Sequence, residues 1–261
     1  MLRVALLLLI AGSVSAAEPK NVIFLVADDL GLQLGSGTLT LANYGAIFTR
    51  LHLATAFANS LLIATTVTAI SLLLNSMAGY AFAKLRFRGR DLSARLLSAA
   101  LIVPAQVAML PLFLLVKQLG LVNTYAGVII PGLASVFGIF LIRQYAMSLP
   151  DALLDAARID GASELRIYRS VVLPLCRPAL LTLGAFTFLG TWNDFLWPLV
   201  VLSDSQRQTL PVALANLLGE HVQDVELMTA GATLTVVPPV LAFLLLQRHY
   251  VRGILAGGVK Q

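Results

Sequence analysis

At 261 residues, 58% of them hydrophobic and only 12% charged, with a mean hydropathy of +0.87, the chain has too few ionised side chains to solvate a globular surface. It reads as a membrane protein, one bundle of several spans, with no room for an additional soluble domain of ordinary size. The net charge of +5 includes no basic block interleaved with aromatics, which excludes nucleic acid as a partner, and the single cysteine, Cys176, excludes an internal disulfide.

In chain order, Met1–Ala17 has the form of a signal peptide or signal anchor. Arg3 is its basic start, Val4–Ala11 its apolar core and Ser15-Ala16-Ala17 a small-residue cleavage site. Five longer apolar stretches follow, near Ala54–Phe82, Leu92–Val116, Tyr125–Ile142, Ala179–Leu202 and Leu227–Leu246. Each is expected to cross a hydrocarbon layer of about 30 Å as a helix, because only a helix satisfies its own backbone polar groups there. Pro104, Pro111, Pro131, Pro198 and the Pro238-Pro239 pair are expected to kink or break these spans. The fold class is therefore all-α, a polytopic membrane helix bundle.

Basic residues cluster after the first long span (Lys84, Arg86, Arg88, Arg90, Arg95), after the third (Arg143, Arg158, Arg166, Arg169, Arg177) and in the tail (Arg248, Arg252, Lys260). The positive-inside rule puts all of these in the cytoplasm, and a simple alternation of spans puts them on one side as well.

The segment Pro150–Pro178 is long for a connection within a bundle, and such loops are usually functional. Its apolar residues are periodic: Leu153, Ala156 and Ala157 mark one short helix, and Leu165, Tyr168, Val171 and Val172 the inner face of a second. Gly161 sits between them, where a sharp turn needs a residue free to take positive φ. Periodicity alone leaves two readings open, a solvated hairpin linking two spans or a docking element.

The spacing is more specific. Asp155-Ala156-Ala157, three residues, Gly161, nine residues, Val171, one residue, Leu173-Pro174 resembles the E-A-A loop of ATP-binding cassette import permeases, with Asp155 for Glu and Val171 for Ile. The resemblance implies that Asp155, Ala156, Ala157, Arg158, Asp160, Gly161, Ala162, Leu173 and Pro174 form a coupling element seated in a cleft of an ATPase subunit. Asn43-Tyr44, Phe57-x-Asn59-Ser60, Tyr80-Ala81-Phe82-Ala83, Trp192-Asn193-Asp194-Phe195, Thr209-Leu210-Pro211 and Gln247-Arg248-x-Tyr250-Val251-Arg252-Gly253 resemble the smaller permease of the maltose and glycerol-phosphate importer branch. The likeness runs from about Thr38 to Lys260, so residues 38–261 form the expected transmembrane domain. It implies a multi-pass protein of the bacterial inner membrane that takes part in carbohydrate import. The implied partners are a larger homologous permease, an ATP-binding cassette ATPase dimer, an external solute-binding protein and membrane lipid. The chain has no phosphate-binding loop of its own, so it is expected to be a non-catalytic subunit without a cofactor, with ATP hydrolysed by the partner.

Asn59, Asn75, Asn193 and Asp194 are the polar residues expected at membrane depth, where an unpaired polar group is costly. Asn193 and Asp194 are candidates for the solute pathway. The alternative for these polar side chains is hydrogen bonding between helices, with Trp192 and Trp197 in an interfacial belt.

Residues 18–37 do not resemble this permease family. Pro19–Gly31 instead resembles the start of a sulfatase, in which a strand ends in a carboxylate pair that holds a divalent metal, here Asp28-Asp29. The sulfatase nucleophile motif Cys-x-Pro-Ser-Arg is absent, since Ala179 and Leu180 follow Cys176-Arg177-Pro178. The segment reads as a fusion ending near Ser36–Thr38, in place of the family's first spanning helix. A secreted or anchored sulfatase-like hydrolase fragment is the alternative function. A secondary transporter is disfavoured, because neither inverted repeats nor paired intramembrane charges are evident.

Overall fold

The computed structural model describes residues 53–220, 233, 235–241 and 244. The signal-like segment 1–17, the sulfatase-like segment 18–37 with Asp28 and Asp29, most of the fifth expected span and the tail arginines lie outside the described residues. Among the described residues every regular element is helical.

Helix α1, Leu53–Lys84, has 32 residues. Its sequence is apolar nearly throughout, holds no proline and has one glycine, Gly79. At 1.5 Å per residue it is about 48 Å long, well beyond a hydrocarbon layer of about 30 Å. The chain reverses through Gly89, at φ 84°, into α2, Arg90–Ala100, which buries no residue. A 3-10 turn, Ala105–Ala108, then leads into α3, Met109–Gln118.

The expected single span Leu92–Val116 is thus two helices. Pro104 is extended, at φ −60° and ψ 132°, and has no N–H to continue α2. Residues 101–103 close α2 with short backbone bonds instead, including Ile102 N–H to Ala99 O at 3.1 Å.

Helices α4, Tyr125–Gly132, and α5, Val136–Met147, follow. Each begins on a hydroxyl cap, Thr124 Oγ1 accepting from Gly127 N and Ser135 Oγ from Gly138 N. Together they form Tyr125–Met147, which with α1 is long and apolar enough to cross a membrane and runs beyond the expected end at Ile142. Next come α6, Asp151–Ile159, and α7, Glu164–Leu175, whose middle, Tyr168–Val172, is a π turn. Helix α8, Arg177–Trp192, leaves α7 at a bend of 79°. It stops at Trp192, so the expected span Ala179–Leu202 is also interrupted, at residues 193–195, before α9, Leu196–Val201. Helix α10 is Leu210–Glu220.

Helix α1 is the centre of the bundle and packs chiefly against α5 and α8. The α1–α5 crossing is close because small residues meet there. A Cβ added at Gly79 would stand 2.7 Å from Ile142 Cβ and 3.0 Å from the Arg143 backbone nitrogen. A Cβ at Gly138 would stand 2.8 Å from Asn75 Nδ2. Asn75 is fully buried; its amide donates to Ser71 Oγ at 2.5 Å and its oxygen accepts from Ser135 N at 3.0 Å.

At the other end of α1, Asn59 donates to the carbonyls of Gln206 and Gln208, both at 3.0 Å, and accepts from the Tyr125 hydroxyl at 2.8 Å. Asn59 and Asn75 are therefore braces between elements. Trp192 and Trp197 are buried within the bundle, Trp192 edge-on to Phe57 at 5.4 Å and Trp197 donating to Gly127 O at 3.2 Å.

Replacing Gly79 by alanine is expected to cost about 1–3 kcal/mol through overpacking. The thermal midpoint of the detergent-solubilised protein should fall. The double variant G79A/I142A should lose less than the two single losses combined, because the second change makes room for the first.

Candidate functional site: the hairpin of α6 and α7

The hairpin forms where the local chemistry leaves it little choice. Pro150, in extended geometry, starts α6. At its far end Gly161 N–H bonds Arg158 O and Ala162 N–H bonds Ala157 O, both at 3.0 Å, which is the Schellman pattern. That pattern needs a left-handed residue, and Gly161 takes φ 78°. Ser163 then caps α7 by accepting from Arg166 N at 3.4 Å.

Beneath the turn Leu154, Ile167, Tyr168, Val172 and Cys176 are buried together with Tyr80 and Ala146. Tyr168 and Val172 face inward as expected, Leu165 does not, being 58% exposed, and the inward residue of α6 is Leu154. Val172 is fully buried while Val171 is only partly covered.

Three side chains one turn apart on α1 hold the hairpin. Ser76 shares a hydrogen bond of 2.7 Å with the Tyr168 hydroxyl. The Tyr80 hydroxyl donates to Glu164 Oε2 at 2.6 Å. Lys84 Nζ donates to Asp151 Oδ1 at 2.6 Å and to Leu149 O at 2.7 Å, with its side chain only 7% exposed. Within the hairpin Arg158 bridges Asp155 at 2.7 Å and Glu164 at 2.9 Å, tying one helix to the other across the glycine turn. The Arg158 guanidinium, and then the Tyr80 hydroxyl, hold the Glu164 carboxyl below its ordinary range; Lys84 does the same for Asp151. A carboxyl with a depressed pKa stabilises the fold above its unfolded pKa and loses that contribution as pH falls through the folded value. Both ties are therefore complete at neutral pH.

Of the residues singled out from the sequence, Asp155, Arg158 and Gly161 meet at this turn. Ala157 and Ala162 lean on its core, while Ala156 and Asp160 are exposed. Leu173 is partly buried at the end of α7 and Pro174 is exposed. Leu153, Ile159 and Leu165 point outward, Ile159 with 86% of its surface exposed.

Asn193 and Asp194 are elsewhere, at the break between α8 and α9. Asn193 is exposed and donates to Leu189 O at 2.9 Å. Asp194 lines a cavity of about 270 Å³ together with Gln106, Thr191 and the apolar side chains of Val67 and Trp197. Sequence reasoning did not assign a role to Ser76, Tyr80 or Lys84. The available signal was their spacing of four, which puts polar groups in one stripe at the basic end of an apolar helix.

A long apolar helix gripping a polar, braced hairpin at one end of a helical bundle, with a second apolar span beside it, has the form of a multi-pass membrane protein. Residues 75–256 match the family described as binding-protein-dependent transport system inner membrane component. The chain belongs to this family and is an inner-membrane permease.

The chain is 42% identical to the arabinooligosaccharides transport system permease protein AraQ of Halalkalibacterium halodurans, over 90% of this chain and 85% of that one. It is 41% identical to the osmoprotective compounds uptake permease protein GgtD of a Synechocystis species, over 84% of this chain and 75% of the relative. Its fold matches a chain of a bacterial ABC transporter involved in import of the acidic polysaccharide alginate. That match has a TM-score of 0.73 at 25% identity, covering 80% of this chain and 79% of the other. The permease reading, and not the sulfatase-like alternative, accords with these matches.

Tyr80→Phe removes one bond to Glu164 and is expected to loosen the hairpin by about 1 kcal/mol. Hydrogen exchange of the amides in residues 151–168 should quicken roughly fivefold by the same energy. Amides of α4 should not change.

Proposed function

We propose that this chain is the smaller permease subunit of an ATP-driven carbohydrate importer, paired with a larger homologous permease. In this reading an external binding protein delivers the solute, and a separate ATPase dimer hydrolyses ATP. The hairpin of α6 and α7 is the part that docks on that ATPase. The observation that carries the reading is a hairpin held stiffly from behind by Ser76, Tyr80 and Lys84 while Leu153, Ile159 and Leu165 face outward. Large aliphatic side chains exposed together on a braced hairpin mark a partner surface, where a single one would not.

The solute class rests on relatives named for arabinooligosaccharides, alpha-glucosides, lactose and sn-glycerol-3-phosphate. Mechanically, a push on the turn at Gly161 passes through the Arg158 bridge into both hairpin helices. Tyr80 and Lys84 then carry it into α1, and the 79° junction carries it into α8.

The test is co-expression with the neighbouring ATPase. I159D/L165D should lose co-purification of the ATPase and solute uptake by about tenfold or more, since burial of one large aliphatic side chain is worth about 1.5–3 kcal/mol. The permease itself should remain folded, because both changes are on exposed positions. Retention of the ATPase at wild-type yield rejects the docking role.

A second, smaller proposal concerns Asp194. It lines the cavity with Gln106 and Thr191, and these polar groups suit a path for a hydroxylated solute. Asp194→Ala and Asn193→Ala are expected to slow uptake with the ATPase still bound. Unchanged uptake and ATPase coupling in both variants remove these residues from the pathway.

A further inference from the structure

A second basic site lies at the same end of the bundle as the hairpin and is independent of its docking role. A cavity of about 370 Å³ opens beside α2 and α5, lined by Asp91, Ala94, Arg95, Ser98 and Arg143. Two guanidinium groups thus reach one space from different helices. Neither Arg95 nor Arg143 forms an ion pair or a hydrogen bond among the described residues, and the Nε of Arg143 is buried with no partner. An unpaired buried donor on a permanent cation is costly and calls for an anion. Asp91 does not serve, because it turns to Arg90 at 3.7 Å and is 80% exposed. Ser98 donates its hydroxyl to Ala94 O at 2.9 Å.

The surroundings suit one kind of anion. Helix α2 buries nothing, and Leu92 and Leu96, flanking Arg95, are 64% and 62% exposed. A helix that exposes leucines beside arginines, next to the basic end of a membrane span, suits the headgroup layer. By the positive-inside rule this is the cytoplasmic leaflet, where anionic lipids are present. Guanidinium forks match the paired oxygens of a phosphate, and basic pockets between membrane helices on this side take phospholipid headgroups.

We infer that Arg95 and Arg143 together hold a phosphate group, that of an anionic phospholipid headgroup, between α2 and α5. Free phosphate has the same chemistry, and the experiment separates the two sources. The full chain, purified with whichever subunits accompany it, is placed in nanodiscs of phosphatidylcholine alone or with phosphatidylglycerol. Hydrogen exchange of α2 is then followed as the phosphatidylglycerol fraction is raised.

Phosphatidylglycerol should protect α2 in the wild type. R95Q and R143Q should each need roughly tenfold more of it, or beyond, for the same protection, since a hydrogen bond to a charged group contributes about 1.5–3 kcal/mol. R88Q removes an arginine outside the cavity and should lose only the non-specific surface attraction, at most roughly fivefold from about 1 kcal/mol. Arg95 is exposed, so R95Q tests the site even if R143Q fails to fold. Equal protection by inorganic phosphate in phosphatidylcholine discs, lost in R95Q, would keep the phosphate site but assign it to a soluble ligand. The inference fails if R95Q and R143Q respond to both additives as the wild type or as R88Q does. It also fails if α2 is protected only when an accompanying subunit is bound, whatever the lipid, since a protein carboxylate then fills the cavity.

Discussion

The arrangement depends on how closely α1 and α5 cross. Gly79 lies against Ile142 and Gly138 against Asn75, with no space for a methyl group at either glycine. In a bilayer this contact gains little from the hydrophobic effect and relies on packing and interhelical hydrogen bonds. Asn75 contributes both, filling the gap at Gly138 and accepting from the backbone N–H of Ser135, the cap of α5. Because α5 leads through Met147 straight into the hairpin, the position of this crossing fixes where α6 begins.

The hairpin inherits that position and is then tied down by charge and hydroxyl chemistry rather than by bulk. Its own core is small, grouped around Leu154, Ile167 and Val172. Ser76, Tyr80 and Lys84 supply the remaining hold by pairing with Tyr168, Glu164 and Asp151. Arg158 adds an internal strut, so the two short helices move as one piece. Short helices are marginal alone and gain order from such tertiary contacts.

The sequence made some of this legible and hid the rest for identifiable reasons. Gly161 and Pro150 bracket α6 by backbone rules that hold anywhere, and the structure follows them. The spacing around Asp155–Pro174 named the family because it is a long pattern with few chance matches. The inward face of α7 was partly legible: Tyr168 and Val172, one turn apart, are buried as periodicity expects, whereas Leu165 is exposed and Ile167 takes the inward place beside Tyr168. Pro104 breaks the apolar stretch Leu92–Val116 as its missing N–H leads one to expect, although hydropathy, which averages across it, shows no gap there. The stripe Ser76, Tyr80 and Lys84 was hidden because its partners lie 65 to 92 positions away in the chain.

Helix α1 is unbroken over 32 residues and is gripped at both extremities. Near its start Asn59 fastens the loop that carries Gln206 and Gln208, and near its end Tyr80 and Lys84 fasten the hairpin. With no proline and one tightly packed glycine between those grips, it has no joint at which to absorb a displacement. It is built as a pushrod. Whatever shifts the hairpin on one side of the membrane must shift the opposite loop in the same stroke, without a relay of intervening conformational changes.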